Sequence, residues 1–583
     1  MAQSSQGNAA ELLQEYTRLF ETMMTACFTP GNESAASKNA KAQEHACVDV
    51  EKLLQTQLNY LNKQSQLWQA VSQAMLDEQK TAEPVVVEAP DDRRFSDSEW
   101  QENPFYSFIK QSYLLNSNLL CETLDSMRFE EPAQREQLKF FTRQYINALS
   151  PTNTLLGNPE VYRKTLDSQG QNLQSGFQNL LRDWQQSPQQ GLKITQTDES
   201  VFKVGENLAT TPGKVVYQNE IMQLIQYEPA TEKVFSRPIL ITPPYINKFY
   251  VLDLDEKKSL VRWLVNQGFT VFMISWVNPD ARLAHKNFGD YVMQGPVEAL
   301  NVVRSITRVE KTHLIGYCVG GTLASIAAAL LKEQGRDCLA SLTLLTTLLD
   351  FSKPGEVGHY LSEASWPLLR EQVQAQGYMD GRTLAMGFSL LRENQLFWPY
   401  FINNYLKGEE PQPFDILYWN SDSTHIPAAN YVEYIESTYL KNLLREPGAF
   451  SVNGAPIDLG VIDVPVYFLA TQTDHIVLWD AAYRSSQLIS APSRFVLAGS
   501  GHLAGVINPE NSGKYGFWTN AGKPETAAEW FEGAEQKQDS WWPDWFAWAR
   551  AESGRLVNAR EVGNKPGFPA LEDAPGNYVR RRI

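Results

Sequence analysis

From Gly213 onward the chain alternates short, almost wholly apolar runs with longer amphipathic ones. Residues 215–217 and 222–227 predict the strands of an opening hairpin. Residues 238–242, 270–276, 313–317 and 342–349 are apolar at nearly every position, as strands covered on both faces are. Helical patterns over 260–265, 291–306 and 323–331 fall between them. This alternation predicts an α/β fold with a parallel sheet between helical layers. It breaks at Phe351. Residues 351–450 lack clear strand signals and are thick with aromatics, among them Trp366, Trp398, Phe401 and Trp419. They read as an insertion over the functional face, a cap or lid. The strand pattern resumes at 464–470 and 494–497. Near the end, Trp541, Trp542, Trp545 and Trp548 predict an amphipathic helix packed on the body.

Before Gly213 the texture is helical. Over 10–79, Leu53, Leu54, Leu58, Leu61, Trp68 and Val71 recur at helix-like intervals, as on an amphipathic helix packed against its own chain or a partner. A Pro-containing linker follows at 81–92. A second helical block runs over 100–183, opened by Arg93, Arg94 and Phe95. The expected organisation is a helical N-terminal segment and linker (1–92), a helical N-terminal domain (93–200), the first part of an α/β core (201–350), a cap (351–450), and the second part of the core with a C-terminal helix (451–583).

At 583 residues the chain exceeds one ordinary hydrophobic core. Its net charge of −16 argues against non-specific nucleic-acid binding, and an anionic substrate would need a local basic patch. The cysteines Cys27, Cys47, Cys121, Cys318 and Cys338 are scattered, with no CxxC pair and no histidine at metal-ligand spacing. That pattern predicts a reducing compartment, no disulfide framework and no structural zinc. The polar first eleven residues lack the apolar stretch of a signal peptide, and no run of about 18 apolar residues occurs. A cytoplasmic protein without a transmembrane segment is expected.

The candidate chemistry centres on Gly316-Tyr317-Cys318-Val319-Gly320-Gly321, between the apolar run 313–315 and a helical pattern. This is the layout of a nucleophile elbow, G-x-S-x-G, with cysteine in place of serine. A lone cysteine is most often a small buried apolar residue. Glycines flanking it at a strand–helix junction favour a nucleophile instead. A thiol attacking a thioester yields another thioester, so the acyl group stays activated for a later transfer.

In the elbow arrangement an acid and a histidine follow in chain order. Asp474 follows the strand at 464–470, and His502 lies on the glycine-flanked loop after 494–497. His475 is the rival histidine, and helix capping is the ordinary alternative for Asp474. For the oxyanion, one donor is the backbone N–H of Val319. The other comes from Pro243-Pro244-Tyr245-Ile246-Asn247. Both prolines lack an N–H, which leaves Tyr245 or a near neighbour.

These motifs resemble polyhydroxyalkanoate synthases, an α/β-hydrolase-fold family. The elbow is similar to their lipase-like box. So are Pro243-Pro244-Tyr245-Ile246-Asn247-Lys248-Phe249-Tyr250, Phe388-Ser389-Leu390-Leu391-Arg392-Glu393-Asn394, Tyr418-Trp419-Asn420-Ser421-Asp422, Asp474-His475-Ile476 and Gly501-His502-Leu503-Ala504-Gly505-Val506-Ile507-Asn508-Pro509. The likeness runs from about Arg93 to the end, and the layout is that of class I, the short-chain type. It implies that Cys318 takes a 3-hydroxyacyl group from CoA, with His502 as general base and Asp474 orienting it or activating the 3-hydroxyl. Asp253, Trp419, His475 and Asn247 become supporting candidates. No cofactor is implied, since the CoA thioester is the substrate. Expected partners are (R)-3-hydroxyacyl-CoA, the growing polyester, a second copy of the chain, the granule surface and a phasin-type granule protein. A cysteine-dependent acyl-CoA thioesterase of the same fold is the alternative, and Lys248 and Arg392 are among the candidate CoA-phosphate ligands.

Overall fold

The computed structural model describes residues 47–76, 84–129, 131–187, 191–361 and 365–583. Most of the expected first helix before residue 47, with Cys27, and its end at 77–79 lie outside the described residues. The chain forms two compact units. One holds the described residues up to Asp198 together with Met386–Gln412; the other holds Glu199–Ala385 and Pro413–Ile583. Packing therefore divides the segment expected as a cap: 386–412 belongs with the N-terminal helices and the remainder with the sheet.

The first unit is helical. Helix α1 (Val50–Leu76) packs on α2 (Pro104–Asp125) through Leu67, Val71 and Leu115. Asn103 caps α2 by accepting from the Phe105 N–H, and Pro104 occupies its first turn, where no N–H is needed. The buried face of α1 also carries Thr56 and Ala74, whereas Leu54, Leu58, Leu61 and Trp68 are each more than half exposed. Of the expected stripe, Val71 packs within the chain while Leu54, Leu58 and Leu61 are turned out. Helices α3 (Pro132–Ala148) and α4 (Gln171–Gln186) belong to the same unit. Gly176 of α4 lies so close to Tyr405 that a Cβ would sit 1.9 Å from its carbonyl oxygen, and the Tyr405 hydroxyl donates to Asp183 at 2.6 Å. These contacts explain why 386–412 joins this unit.

The second unit is built on an 11-stranded sheet. Its strands are β1 (Gly213–Gln218), β2 (Met222–Tyr227), β3 (Ile239–Thr242), β4 (Val271–Trp276), β5 (Thr312–Tyr317), β6 (Leu339–Leu345), β7 (Val466–Thr471), β8 (Ser493–Ala498), β9 (Phe517–Thr519), β10 (Glu535–Lys537) and β11 (Glu572–Asp573). The order across the sheet is β10-β9-β8-β7-β6-β5-β3-β4-β2-β1-β11. Strands β4, β3, β5, β6, β7 and β8 run parallel, and antiparallel strands flank them on both sides. Every residue of β2 to β7 is buried, which is why these runs carry no polar alternation.

Helices α5 (Leu260–Asn266), α6 (Glu298–Thr307), α7 (Val319–Glu333), α8 (Ala428–Ile435), α9 (Trp479–Ser486) and α10 (Trp542–Arg550) belong to this unit. Two local departures from expectation have identifiable causes. The single helix expected over 291–306 is broken by a π turn, Met293–Val297, where Gly295 is non-helical and Pro296 brings no N–H. The strand expected over 342–349 ends at Leu345, because Thr346 turns the backbone to φ 40°. At the end of the chain Trp541, Trp542 and Trp545 are buried, as packing on the body requires. The Trp541 and Trp542 indoles donate to the Val506 carbonyl at 3.2 and 3.1 Å, and Trp545 donates to Thr343 at 2.9 Å.

Register places one end of the sheet under the chemistry. Thr242 pairs with Gly316, Tyr317 with Leu345, Leu345 with Leu469, and Thr471 with Ala498. The loops leaving β3, β5, β7 and β8 therefore emerge side by side, at the carboxyl ends where open α/β sheets carry their sites.

Candidate active site

Between β5 and α7, Cys318 sits at φ 54° and ψ −127°, in a region that side chains with a Cβ rarely adopt. The strain falls on the cysteine itself. The glycines around it are required by space instead. A Cβ on Gly316 would lie 2.4 Å from the Gly321 Cα, and one on Gly320 would lie 2.2 Å from the Thr242 carbonyl oxygen and 2.6 Å from that of Pro243. Those are backbone atoms of the turn and of the β3 end, and they cannot step aside. Gly320→Ala is therefore expected to cost at least about 1–3 kcal/mol, the usual range for overpacking, and to disturb the 243–247 loop. A melting curve checks this, with Gly387→Ala as a neutral control, since nothing lies within 4 Å of a Cβ there.

Cys318 is half-buried, while Cys338 is buried and Cys121 exposed. Its N–H donates to the Leu345 carbonyl at 2.9 Å, which fixes the turn to β6. The next residue, Val319, opens α7, so its N–H has no acceptor one turn back and points out from the helix start beside the sulfur. The dipole of α7 favours negative charge at the same place.

Asp474 and His502 meet in this corner. His502 Nδ1 lies 2.7 Å from Asp474 Oδ2, and both side chains are buried. Asp474 divides its oxygens. Oδ1 accepts the Ile476 and Val477 N–H groups, both at 2.9 Å, and Oδ2 faces His502 and the Thr471 hydroxyl, the latter at 3.2 Å. The carboxylate thus caps the turn after it and also orients the imidazole. The Tyr317 ring stacks on His502 with centroids 5.6 Å apart, and its hydroxyl donates to the His502 carbonyl at 3.3 Å. Tyr317, the residue before Cys318, thus supports the histidine.

Burial opposes a charge on His502, but the Asp474 carboxylate and the Cys318 sulfur outweigh it and push its pKa up to about 10. Burial likewise opposes the Asp474 charge, yet His502 and the two N–H donors hold that carboxyl below its ordinary range. The Cys318 sulfur lies near enough to His502 to favour its charged form, so sulfur, imidazole and carboxylate share this corner.

The remaining candidates are placed differently. Tyr245 is buried beside Tyr291, at 4.9 Å between centroids, and its carbonyl accepts from the Thr424 hydroxyl at 2.6 Å. Asn247 Oδ1 is buried without a hydrogen-bond partner among the described residues. Trp419 is buried, and its indole donates to the Lys248 carbonyl at 2.6 Å, bracing the 243–248 loop from the cap segment. His475 is half-buried, and Asp474 engages His502 rather than this neighbour. Asp253 is committed elsewhere: it accepts from the hydroxyls of Thr211 and Ser259, both at 2.6 Å, and none of its hydrogen bonds goes to Cys318, Asp474 or His502. Burial raises its carboxyl pKa despite those donors, as for a structural carboxyl.

Lys248 is not available to a phosphate. It is buried in an ion pair with Asp422 at 2.7 Å and donates to the Arg581 carbonyl at 3.0 Å. Arg582 approaches the same Asp422 at 3.4 Å and lies over the Tyr418 ring at 4.9 Å. Residues 581–582 and the cap residues 418–422 thus lock the loop that follows β3. Sequence reasoning also missed a group of cap tyrosines. Tyr434 on α8 and Tyr439 on the π turn Glu436–Leu440 pack with ring centroids 6.0 Å apart, and both sense the Cys318 sulfur. In a continuous α-helix, residues five apart point about 140° away from one another. The π turn brings them to one side, a placement that no local pattern announces.

Among the described residues no cluster of histidine, cysteine and carboxylate side chains is suited to a metal ion, and no helix is long and apolar enough to cross a membrane.

Residues 91–264 match the family described as the N-terminus of poly-beta-hydroxybutyrate polymerase (PhaC), and residues 247–509 match the alpha/beta hydrolase fold. The chain is 42% identical over 532 residues to the poly(3-hydroxyalkanoate) polymerase subunit PhaC of Cupriavidus necator, covering 90% of this chain and 88% of that one. It is 40% identical to the subunit of the same name from Rhizobium meliloti, covering 93% and 88%. It is 39% identical to poly(3-hydroxyalkanoate) polymerase 2 of Ectopseudomonas oleovorans, covering 85% and 87%. Identity at this level over most of both chains, with an elbow cysteine where the hydrolase fold carries its nucleophile, makes this chain a member of the poly(3-hydroxyalkanoate) polymerase family, an acyltransferase-type enzyme on an α/β-hydrolase fold.

Proposed function

We propose that this polymerase acts through a covalent thioester on Cys318, drawing (R)-3-hydroxyacyl units, short-chain ones such as 3-hydroxybutyryl, from CoA. The observation that carries this is the cysteine on a strained elbow in line with His502 and Asp474. In the first step the Cys318 sulfur attacks the thioester carbonyl carbon while His502 holds the thiol proton. The N–H groups of Val319 and Tyr245 receive the oxyanion. Collapse breaks the bond to the CoA sulfur, which leaves with the proton from His502. In the second step His502 draws the proton from a 3-hydroxyl, whose oxygen attacks an acyl thioester; the carbon–sulfur bond breaks, the thiol leaves with the proton from His502, and the ester link remains. The buried aromatic cap residues favour that hydroxyl over water. No cofactor is needed, because the thioester itself supplies the driving force.

The family resemblance supports homodimers, attachment to cytoplasmic polyester granules and a phasin-type partner. The exposed Leu54, Leu58 and Leu61 of α1 are suited to such a surface. The purified protein given (R)-3-hydroxybutyryl-CoA is expected to release CoA in proportion to insoluble polyester. Release matched by free 3-hydroxybutyrate would overturn the polymerase chemistry in favour of a thioesterase.

A further inference from the structure

Buried hydroxyls that face a nucleophile normally have partners, and one here does not. The Tyr245 side chain is 2% exposed, and its hydroxyl makes no hydrogen bond among the described residues. An unsatisfied buried hydroxyl costs about 1–3 kcal/mol. Its ring is fixed by Tyr291 at 4.9 Å, Trp276 at 6.4 Å and Tyr434 at 6.5 Å, so it cannot swing out to find an acceptor. The loop that carries it lies against the elbow, where a Cβ on Gly320 would sit 2.6 Å from the Pro243 carbonyl oxygen, and its phenol senses the Cys318 sulfur, as do those of Tyr434 and Tyr439. Asn430, one turn before Tyr434 on the same face of α8, is fully buried, and both polar atoms of its amide also lack a partner.

The wall beside Cys318 is therefore aromatic, with a few polar groups left open. Burial holds the Tyr245 phenol well above its usual range, so it stays neutral and keeps a proton to donate. A 3-hydroxyacyl group on sulfur presents two oxygens. The carbonyl oxygen is served by backbone N–H groups at the elbow. The 3-hydroxyl, two carbons further on, needs a partner inside the pocket.

We propose that the Tyr245 hydroxyl is the specificity-determining donor for the substrate 3-hydroxyl, so that this pocket selects 3-hydroxyacyl thioesters over plain acyl thioesters. The inference rests on the acyl-cysteine reading above. A site with an unpaired buried donor disfavours the analogue that lacks its acceptor, because the donor stays unsatisfied. Removing the donor should erase that preference while leaving the backbone oxyanion donors untouched.

The test compares acylation rates of Cys318 by (R)-3-hydroxybutyryl-CoA and by butyryl-CoA, read as single-turnover adducts by intact-protein mass spectrometry. Tyr245→Phe is expected to cut the ratio of the hydroxybutyryl to the butyryl acylation rate by about 10- to 100-fold. The same variant is expected to melt no lower than the wild type, since it loses only an unsatisfied hydroxyl. Equal loss with both substrates, no loss with either, or a lower melting point would overturn the proposal. A wild-type protein that forms no Cys318 adduct would instead overturn the acyl-cysteine reading on which it stands.

Discussion

Replacing Cys318 by alanine should reduce polymer formation by about 10⁴- to 10⁶-fold, the range seen when a nucleophile is removed from a hydrogen-bonded triad. The fold should survive. Alanine keeps the Cβ that the φ 54° position already tolerates, and the N–H to Leu345 is a backbone contact that the substitution leaves in place. The melting point should therefore stay close to that of the wild type, which separates loss of chemistry from loss of structure. Cys318→Ser tests the chemical point more sharply. A serine oxygen in the same place would form an ester, a more stable acyl carrier than a thioester, and its proton is harder to remove. The serine variant should acylate slowly, pass the acyl group on more slowly still, and accumulate as an acyl-enzyme visible by mass. Polymerisation at more than about a tenth of the wild-type rate in either variant would exclude Cys318 as the acyl carrier.

Legibility differed between the core and its surroundings for physical reasons. Strands β3 to β7 are buried throughout, so each left a mostly apolar run, and the glycines of the elbow left a motif because packing permits nothing larger. Asp474 and His502 could be found because their loops follow consecutive strands of the sheet, β7 and β8. What failed depended on long-range geometry. Lys248 looks like a basic residue near a substrate loop, yet it is spent on Asp422, 174 residues further along the chain. Asp253 lies in a family-like motif, yet its partners are Thr211 and Ser259. Leu54, Leu58 and Leu61 keep a helical period that predicts burial, but the period cannot say which face a neighbouring helix covers. Tyr434 and Tyr439 read as ordinary core aromatics until the π turn puts them on one side.

Asp474→Asn should lower the polymerisation rate by about 10³- to 10⁴-fold, by analogy with the same change in a serine triad. The amide can still accept the Ile476 and Val477 N–H groups through one oxygen. The atom facing His502 Nδ1 at 2.7 Å then becomes an NH₂, a donor opposed to a donor, and the imidazole must turn or change tautomer. The electrostatic consequence has a definite sign. Burial lowers the His502 pKa, and in the wild type the Asp474 carboxylate and the Cys318 sulfur reverse that and bring it to about 10. Without the carboxylate the burial effect gains ground and the His502 pKa falls. Stability follows the same linkage. The wild-type contribution of His502 is full below the ordinary histidine value of about 6.5 and is lost as pH rises through about 10. That of Asp474 is present above the ordinary aspartate value of 3.8 and is lost as pH falls through its depressed pKa. The gap in denaturant midpoint between wild type and variant should thus be widest between about pH 4 and 6.5 and close toward pH 10. A gap that does not vary with pH would show that Asp474 acts only as the cap of the turn after it.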